Sequence, residues 1–184
     1  MTAALIGLWT DLGLVLLCLV IAVAWWRARG GPASPMALVL LAAPTLLAAL
    51  ALSESLKGIL RVERPCASGV ATALAQCPAL GDWSLPSNHA TLAGALWVLT
   101  LRLWPRLGPV LGVIAISVTA SRVALGVHTL TDVVIGTPLG AGAATLVVSL
   151  LGSVVTDRVE QWRSTAPGRV LVGPGERERG PATS

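Results

Sequence analysis

This chain of 184 residues contains two histidines, and each stands at the threshold of an apolar run. His128 is followed four residues later by Asp132. On a helix that spacing puts both side chains on one face, one turn apart. A carboxylate so placed accepts a hydrogen bond from one ring nitrogen. That fixes the tautomer and leaves the other nitrogen free as a nucleophile. Arg122, six residues before His128, suits an anion held close to the imidazole. The other histidine, His89, lies in LPSNHATLAG, Leu85 to Gly94. Pro86 stops the incoming loop, and Ser87 is placed to cap a helix that begins behind it. A helix start offers free backbone N–H groups and the positive end of its dipole, which together receive an anion. His89 in that first turn brings an acidic proton beside the anion. A third stretch, KGILRVERP, supplies Lys57 and Arg64, a point charge and a planar fork that together suit phosphate. Glu54, one turn before Lys57, is placed to orient it.

Taken singly, each of these residues has an ordinary explanation. Lys57 reads as a snorkelling lysine at a span end, Arg64 and Arg122 as headgroup contacts, Ser87 as a cap, and Asp132 as a partner for any nearby arginine. Taken together they do not, because ionisable groups near a bilayer are costly and these cluster on one side.

The elements that must hold them are membrane helices. Hydrophobic residues make up 54% of the chain, charged residues only 12%, and the mean hydropathy is +0.78. A soluble domain carries about twice that charged fraction. The apolar residues are blocked into five runs: about Leu5–Trp26, Met36–Leu56, Asn88–Trp104, Leu107–Gly126 and Val127–Val155. The first has no basic residue before it and no small-residue cleavage pattern after it, so it reads as a retained span. Pro44 in the second run predicts a kink. Runs three and four, separated only around Pro105–Arg106, predict a tight helical hairpin. The expected fold is an all-α, polytopic membrane bundle of about five transmembrane helices. Residues 1–163 form its membrane domain, and 164–184, rich in Gly, Pro and charge, form a disordered tail.

Basic residues set the expected orientation. Arg27, Arg29, Arg102, Arg106, Arg158, Arg163, Arg169, Arg177 and Arg179 fall on one side of a five-span arrangement, which makes that side cytoplasmic and the N-terminus external. The net charge of +4 therefore reflects topology and implies no nucleic-acid partner. Trp9, Trp25, Trp26, Trp104 and Trp162 fall near span ends as interfacial anchors. Both histidines, Lys57, Arg64 and Arg122 share the outer side with Cys66 and Cys77, whose extracytoplasmic loop permits a disulfide. Cys18 lies within a span as a packing residue.

The ordered set Lys57, Arg64–Pro65, then Pro86–Ser87–Asn88–His89, then Ser121–Arg122, His128 and Asp132 resembles the type 2 phosphatidic acid phosphatase (PAP2) superfamily, over about Lys57 to Gly140. The resemblance implies that His128 attacks phosphorus and becomes phosphohistidine, and that Asp132 orients it. It implies that His89 protonates the leaving group and later activates water. Lys57, Arg64, Ser87, Arg122 and the Asn88 backbone N–H would hold the phosphoryl oxygens. It implies no metal and no cofactor, and a PAP2-like helical core, usually within six spans. Asn88 stands where the family usually has glycine. Asn tolerates left-handed backbone angles and keeps its N–H, so activity is expected to survive. The implied substrate is a lipid phosphate reached from the bilayer, first a polyprenyl diphosphate of the cell-envelope carrier type. Phosphatidylglycerol phosphate or phosphatidic acid, or phosphoryl transfer to a sugar or lipid, stand as alternatives within the same chemistry. A non-catalytic lipid-binding protein is the alternative of a different class.

Overall fold

The computed structural model describes residues 2–69, 74, 76–79 and 81–175. The five apolar runs become five helices: α1 (Thr2–Ala28), α2 (Ala33–Leu60), α3 (Asn88–Leu103), α4 (Gly108–Ala124) and α5 (Leu130–Arg163). A short α6 (Ala166–Val172) follows. Among the described residues, α1, α2 and α5 are long and apolar enough to cross a membrane, at 27, 28 and 34 residues. The apolar α4 has 17 residues and α3 has 16. At 1.5 Å per residue each reaches roughly 25 Å, short of a hydrocarbon core of about 30 Å. The outward faces of α1 (Leu5, Leu8, Leu12, Val15), α4 (Val110, Val113, Ile116) and α5 (Leu146, Leu150) expose large apolar side chains, as a lipid-facing surface does.

Helix α2 continues through Pro44 and ends where Arg61 takes a left-handed conformation (φ 47°, ψ 42°), its N–H donating to Lys57 O. That cap turns the chain away from Lys57 into the loop that carries Arg64. Trp104–Leu107 joins α3 to α4, and Trp97 Nε1 donates to Gly108 O at 3.1 Å across the hairpin, as the sequence predicts.

The crossing of α3 and α5 depends on missing side chains. A Cβ on Gly94 would stand 2.1 Å from Thr137 O, and one on Gly140 1.8 Å from Thr91 O. Small residues thus let the two backbones touch, the usual device where lipid gives helices no hydrophobic drive to associate. The start of α3 is thereby fixed against the start of α5, and Ser87 N–H donates to Asp132 O at 3.2 Å.

Two expectations are corrected. The fifth helix begins at Leu130, with Thr129 as its cap, so His128 precedes the helix and is not part of it. The segment after Ser164 is not disordered from its start. Residues Ala166–Val172 are helical, and Val172 is fully buried with Ala28, Ala33, Met36, Ala37 and Val159. Trp25 Nε1 and Arg29 Nη1 both donate to Leu171 O, and Arg163 Nη2 donates to Ala28 O. The local RVLV run finds an apolar groove that the surrounding Gly, Pro and charge conceal in a composition average. Residues 176–184 lie outside the described residues.

Candidate active site

Every candidate residue lies at one end of the bundle. Lys57 closes α2, Ser87, Asn88 and His89 open α3, Arg122 closes α4, and His128 and Asp132 flank the start of α5. Arg27, Arg29, Arg102 and Arg163 lie at or just beyond the opposite helix ends.

The His128–Asp132 pair forms through a cap. Thr129 Oγ1 accepts from Asp132 N, and Asp132 Oδ2 accepts from Thr129 N at 2.7 Å, the two halves of a capping box. The same Oδ2 lies 3.4 Å from His128 Nδ1. Spacing of four residues therefore brings the pair together, but the turn does it by folding His128 back over the helix start.

The tautomer follows from the donors. Arg64 Nη1 lies 2.9 Å from His128 Nε2, and a guanidinium can only donate. Nε2 must then carry the lone pair and Nδ1 the proton, which faces Asp132 Oδ2 and Ser84 Oγ (3.3 Å). Ser84 in turn donates to Asp132 Oδ2 at 2.5 Å. His128, Asp132 and Ser84 are all buried. Burial, the largest cause, lowers the proton affinity of His128. The Asp132 hydrogen bond opposes this, and the Arg64 charge adds to it, so the ring titrates below its ordinary value. That direction favours the neutral imidazole, the form that can act as a nucleophile.

Arg64 is fixed on four sides. Nε donates to Asp82 O (2.8 Å), Nη2 to Asp82 Oδ1 (2.9 Å), and Nη1 to Val127 O (3.1 Å) as well as to His128. Burial alone would raise the Asp82 carboxyl, but the hydrogen bond and charge of Arg64, with Lys57, hold it below the usual carboxylate range. Lys57 Nζ lies 3.1 Å from Glu54 Oε1 and 3.8 Å from Asp82 Oδ1. The predicted Glu54–Lys57 contact therefore forms, and both cations are aimed by carboxylates.

Ser87 caps α3, but its hydroxyl makes no capping bond. Ser87 Oγ and Arg122 Nε are buried among the described residues with no partner. Buried donors are rarely left so. A bound oxyanion is the acceptor that would satisfy both, beside the free N–H groups of the α3 start. The charge of Arg122 acts on both histidines. His89 points from the first turn of α3 towards α1, with Nε2 3.9 Å from Asp11 Oδ1.

Asn88 does not use a left-handed conformation; Arg61 is the non-glycine residue with positive φ among the described residues. Its amide accepts from Ser53 Oγ (2.7 Å) and donates to Glu54 Oε1, tying α3 to the carboxylate that aims Lys57. Sequence reasoning missed Asp82 and Ser84, which sit in a long loop where no periodicity marks them. In that loop the Cys66 and Cys77 sulphurs are bonded, with Cα atoms 5.9 Å apart.

A buried imidazole with a carboxylate on one nitrogen and a guanidinium on the other, at the same end of the bundle as unpartnered buried donors, has the groups that phosphoryl transfer through a histidine needs. The comparisons agree with this chemistry. The family model described as the PAP2 superfamily matches residues 35–154. A crystal structure described as the first transmembrane PAP2 type phosphatidylglycerolphosphate phosphatase, from Bacillus subtilis, superposes with a TM-score of 0.61 at 25% identity. The match covers 81% of this chain and 76% of that one. No curated protein sequence matches significantly. The family match spans well over half of the chain and takes in both histidines, Asp132, Lys57, Arg64 and Arg122, and on that ground the chain belongs to the PAP2 superfamily, as an integral membrane phosphatase.

Proposed function

We propose that this protein removes phosphate from a lipid phosphate or diphosphate at the extracytoplasmic face, through a phosphohistidine on His128 and without a metal. The observation that carries the reading is the pair of contacts on one ring: Arg64 Nη1 at 2.9 Å from Nε2, and Asp132 Oδ2 at 3.4 Å from Nδ1. The first leaves the lone pair on Nε2 and sets a guanidinium beside it, which supports that nitrogen as the attacking atom. The second supports the positive charge that develops when the lone pair is used.

The reaction follows. Nε2 of His128 attacks phosphorus, and the bond to the leaving oxygen breaks as His89 gives that oxygen a proton. Lys57, Arg64, Arg122, the Ser87 hydroxyl and the Asn88 N–H hold the three phosphoryl oxygens while charge moves among them. Water, losing a proton to His89, then attacks phosphohistidine and releases inorganic phosphate. The first step leaves His89 without its proton and His128 phosphorylated; the second breaks the N–P bond and returns the proton, so the two steps together restore both rings.

Helices α1 to α5 serve as the spans, the shorter α3 and α4 held among the three long ones, with residues 1–163 as the membrane domain. The arginines at helix ends opposite the site support an external active site and an external N-terminus. The surrounding helix faces are apolar, so the substrate reaches the site from the bilayer. A polyprenyl diphosphate is the first substrate on this reading. Phosphatidylglycerol phosphate is the second, and the likeness to the Bacillus subtilis enzyme favours it. The test is phosphate release by the purified chain from polyprenyl diphosphate, phosphatidylglycerol phosphate and phosphatidic acid, with chelator present and with His128→Ala as control. Release from one of these by the wild type, lost in the variant, is the expected result. Release that survives in His128→Ala refutes the assignment.

A further inference from the structure

Helix α1 lies outside the stretch that the family model matches, yet it delivers a carboxylate to the site. Apart from Thr10, Asp11 is flanked along α1 by apolar and small residues, and its side chain is 77% exposed. A carboxylate at such a place in a membrane helix is costly and calls for a reason.

The reason lies in what its neighbours do. Thr10 Oγ1 and Ser121 Oγ are 2.6 Å apart, and Trp9 Nε1 donates to Ser117 Oγ at 3.1 Å. Both bonds lock α1 to α4 immediately before Asp11. Two residues after Asp11, Gly13 brings the helices so close that a Cβ would meet Val118 Cγ2 at 2.3 Å. Asp11 is thus held on a rigid stretch of helix, with Oδ1 3.9 Å from His89 Nε2. Catalytic contacts of this kind are often long before substrate binds and tighten afterwards. The other charged and titratable groups acting on His89 are Arg122 of α4, Arg64 of the α2–α3 loop, and His128. Two are permanent cations, and they oppose a proton on His89. Asp11 is the carboxylate that favours one.

We infer that Asp11 is a positioning residue for the leaving-group acid: from α1 it orients the His89 ring and supports its protonated form. The inference rests on the reading of His89 as the group that protonates the leaving oxygen. It deepens that reading by giving the acid a carboxylate partner, as Asp132 is the partner of the nucleophile.

Support for the acid matters most when the leaving group is basic. An alkoxide expelled from a phosphomonoester lipid needs the proton, whereas the phosphate monoester expelled from a diphosphate, with a second pKa of about 6, needs it far less. The experiment is rapid-quench formation of phosphohistidine by the full chain in nanodiscs, from phosphatidic acid and from polyprenyl diphosphate. The variants are Asp11→Asn, Asp11→Glu, His89→Ala and the double variant Asp11→Asn/His89→Ala.

Asp11→Asn is expected to slow the reaction of phosphatidic acid about tenfold, a part of the ~10²–10⁴-fold that a general acid supplies. The loss with the diphosphate is expected to be clearly smaller. Asp11→Glu regains most of the rate, and Asp11→Asn adds no loss once His89 is gone. Equal losses with both lipids, no rescue by Glu, or a full further loss on the His89→Ala background each overturn the inference. The underlying reading fails differently. There, His89→Ala itself forms phosphohistidine from phosphatidic acid at the wild-type rate, and the role of Asp11 falls with it. Should Asp11→Asn lose its fold, the Asp11→Glu rate and its ratio between the two lipids decide.

Discussion

Replacing Arg64 by lysine separates charge from geometry at the proposed phosphate site. The guanidinium makes four hydrogen bonds at once: two to Asp82, one to Val127 O and one to His128 Nε2. An ammonium on a shorter reach has three donors on one nitrogen and cannot span Asp82 and His128 together. Its charge remains. At 4 Å and an effective dielectric of about 20, that charge is worth roughly 4 kcal/mol towards an oxyanion. A charge-assisted hydrogen bond in the transition state is worth about 1.5–3 kcal/mol. If geometry alone is lost, phosphohistidine formation in Arg64→Lys falls roughly ten- to hundredfold, since about 1.4 kcal/mol is a factor of ten. Arg64→Ala loses both and falls by about 10⁴-fold or more on the same arithmetic. Val127 O is also left without its donor in both variants, at about 1–3 kcal/mol of stability. Rates must therefore be normalised to folded protein, read from monodispersity and thermal midpoint. The assay is a single-turnover burst with labelled lipid. An Arg64→Lys rate equal to wild type would show that the fork does no catalytic work. A rate equal to that of Arg64→Ala would show that charge does none.

Acid pH tests the nucleophile. On the proposed mechanism His128 must be neutral to attack, and it titrates below its ordinary value, so kcat/KM should hold its plateau down through about pH 6.5 and fall only below it. Asp132→Asn removes a group that favours the proton on His128, so its acid limb should move further down while the plateau drops. A wild-type limb above pH 7 would contradict the assignment. Ser84→Ala should lower kcat about tenfold with little change in KM, because the hydroxyl fixes Asp132 and His128 and touches no substrate oxygen. A rise in KM alone would make Ser84 a binding residue. For topology, a cysteine at Gly81 should react with an impermeant thiol reagent in intact cells, and one at Gly30 should not; the reverse labelling would put the site in the cytoplasm. Cys66 and Cys77 are 11 apart in sequence. Closing so short a loop stabilises by about 3 kcal/mol in the chain-entropy model, so the Cys66→Ser/Cys77→Ser variant should melt earlier. Two free thiols in non-reduced wild-type protein, by mass spectrometry, would remove the bond.

Residue type and spacing made much of this site legible in the sequence. Pro86–Ser87 marked the start of α3, Glu54 and Lys57 met one turn apart, and His128 met Asp132 at a separation of four. The last contact was right for a partly wrong reason. A helix and a capping box both bring residues four apart together, and only the position of Thr129 tells them apart. A Thr three residues before an Asp is a legible cap, and it places His128 outside the helix.

Asp82, Ser84 and Asp11 could not be read in the same way. A loop residue has no period to betray its direction, so Asp82 and Ser84 gained meaning only when the backbone brought Ser84 within 2.5 Å of Asp132 and Asp82 within 2.9 Å of Arg64. Asp11 is separated from His89 by 78 positions and joined to it by the packing of α1 on α4. Yet it did leave a trace. A membrane helix of 27 residues tolerates apolar and small side chains freely, so a carboxylate amid WTDLG is the residue that span composition does not explain. Charge in a span points to a partner even when spacing cannot name it. Here the partner is the imidazole that span composition also left unexplained, so two apparent exceptions along the chain form one pair in space.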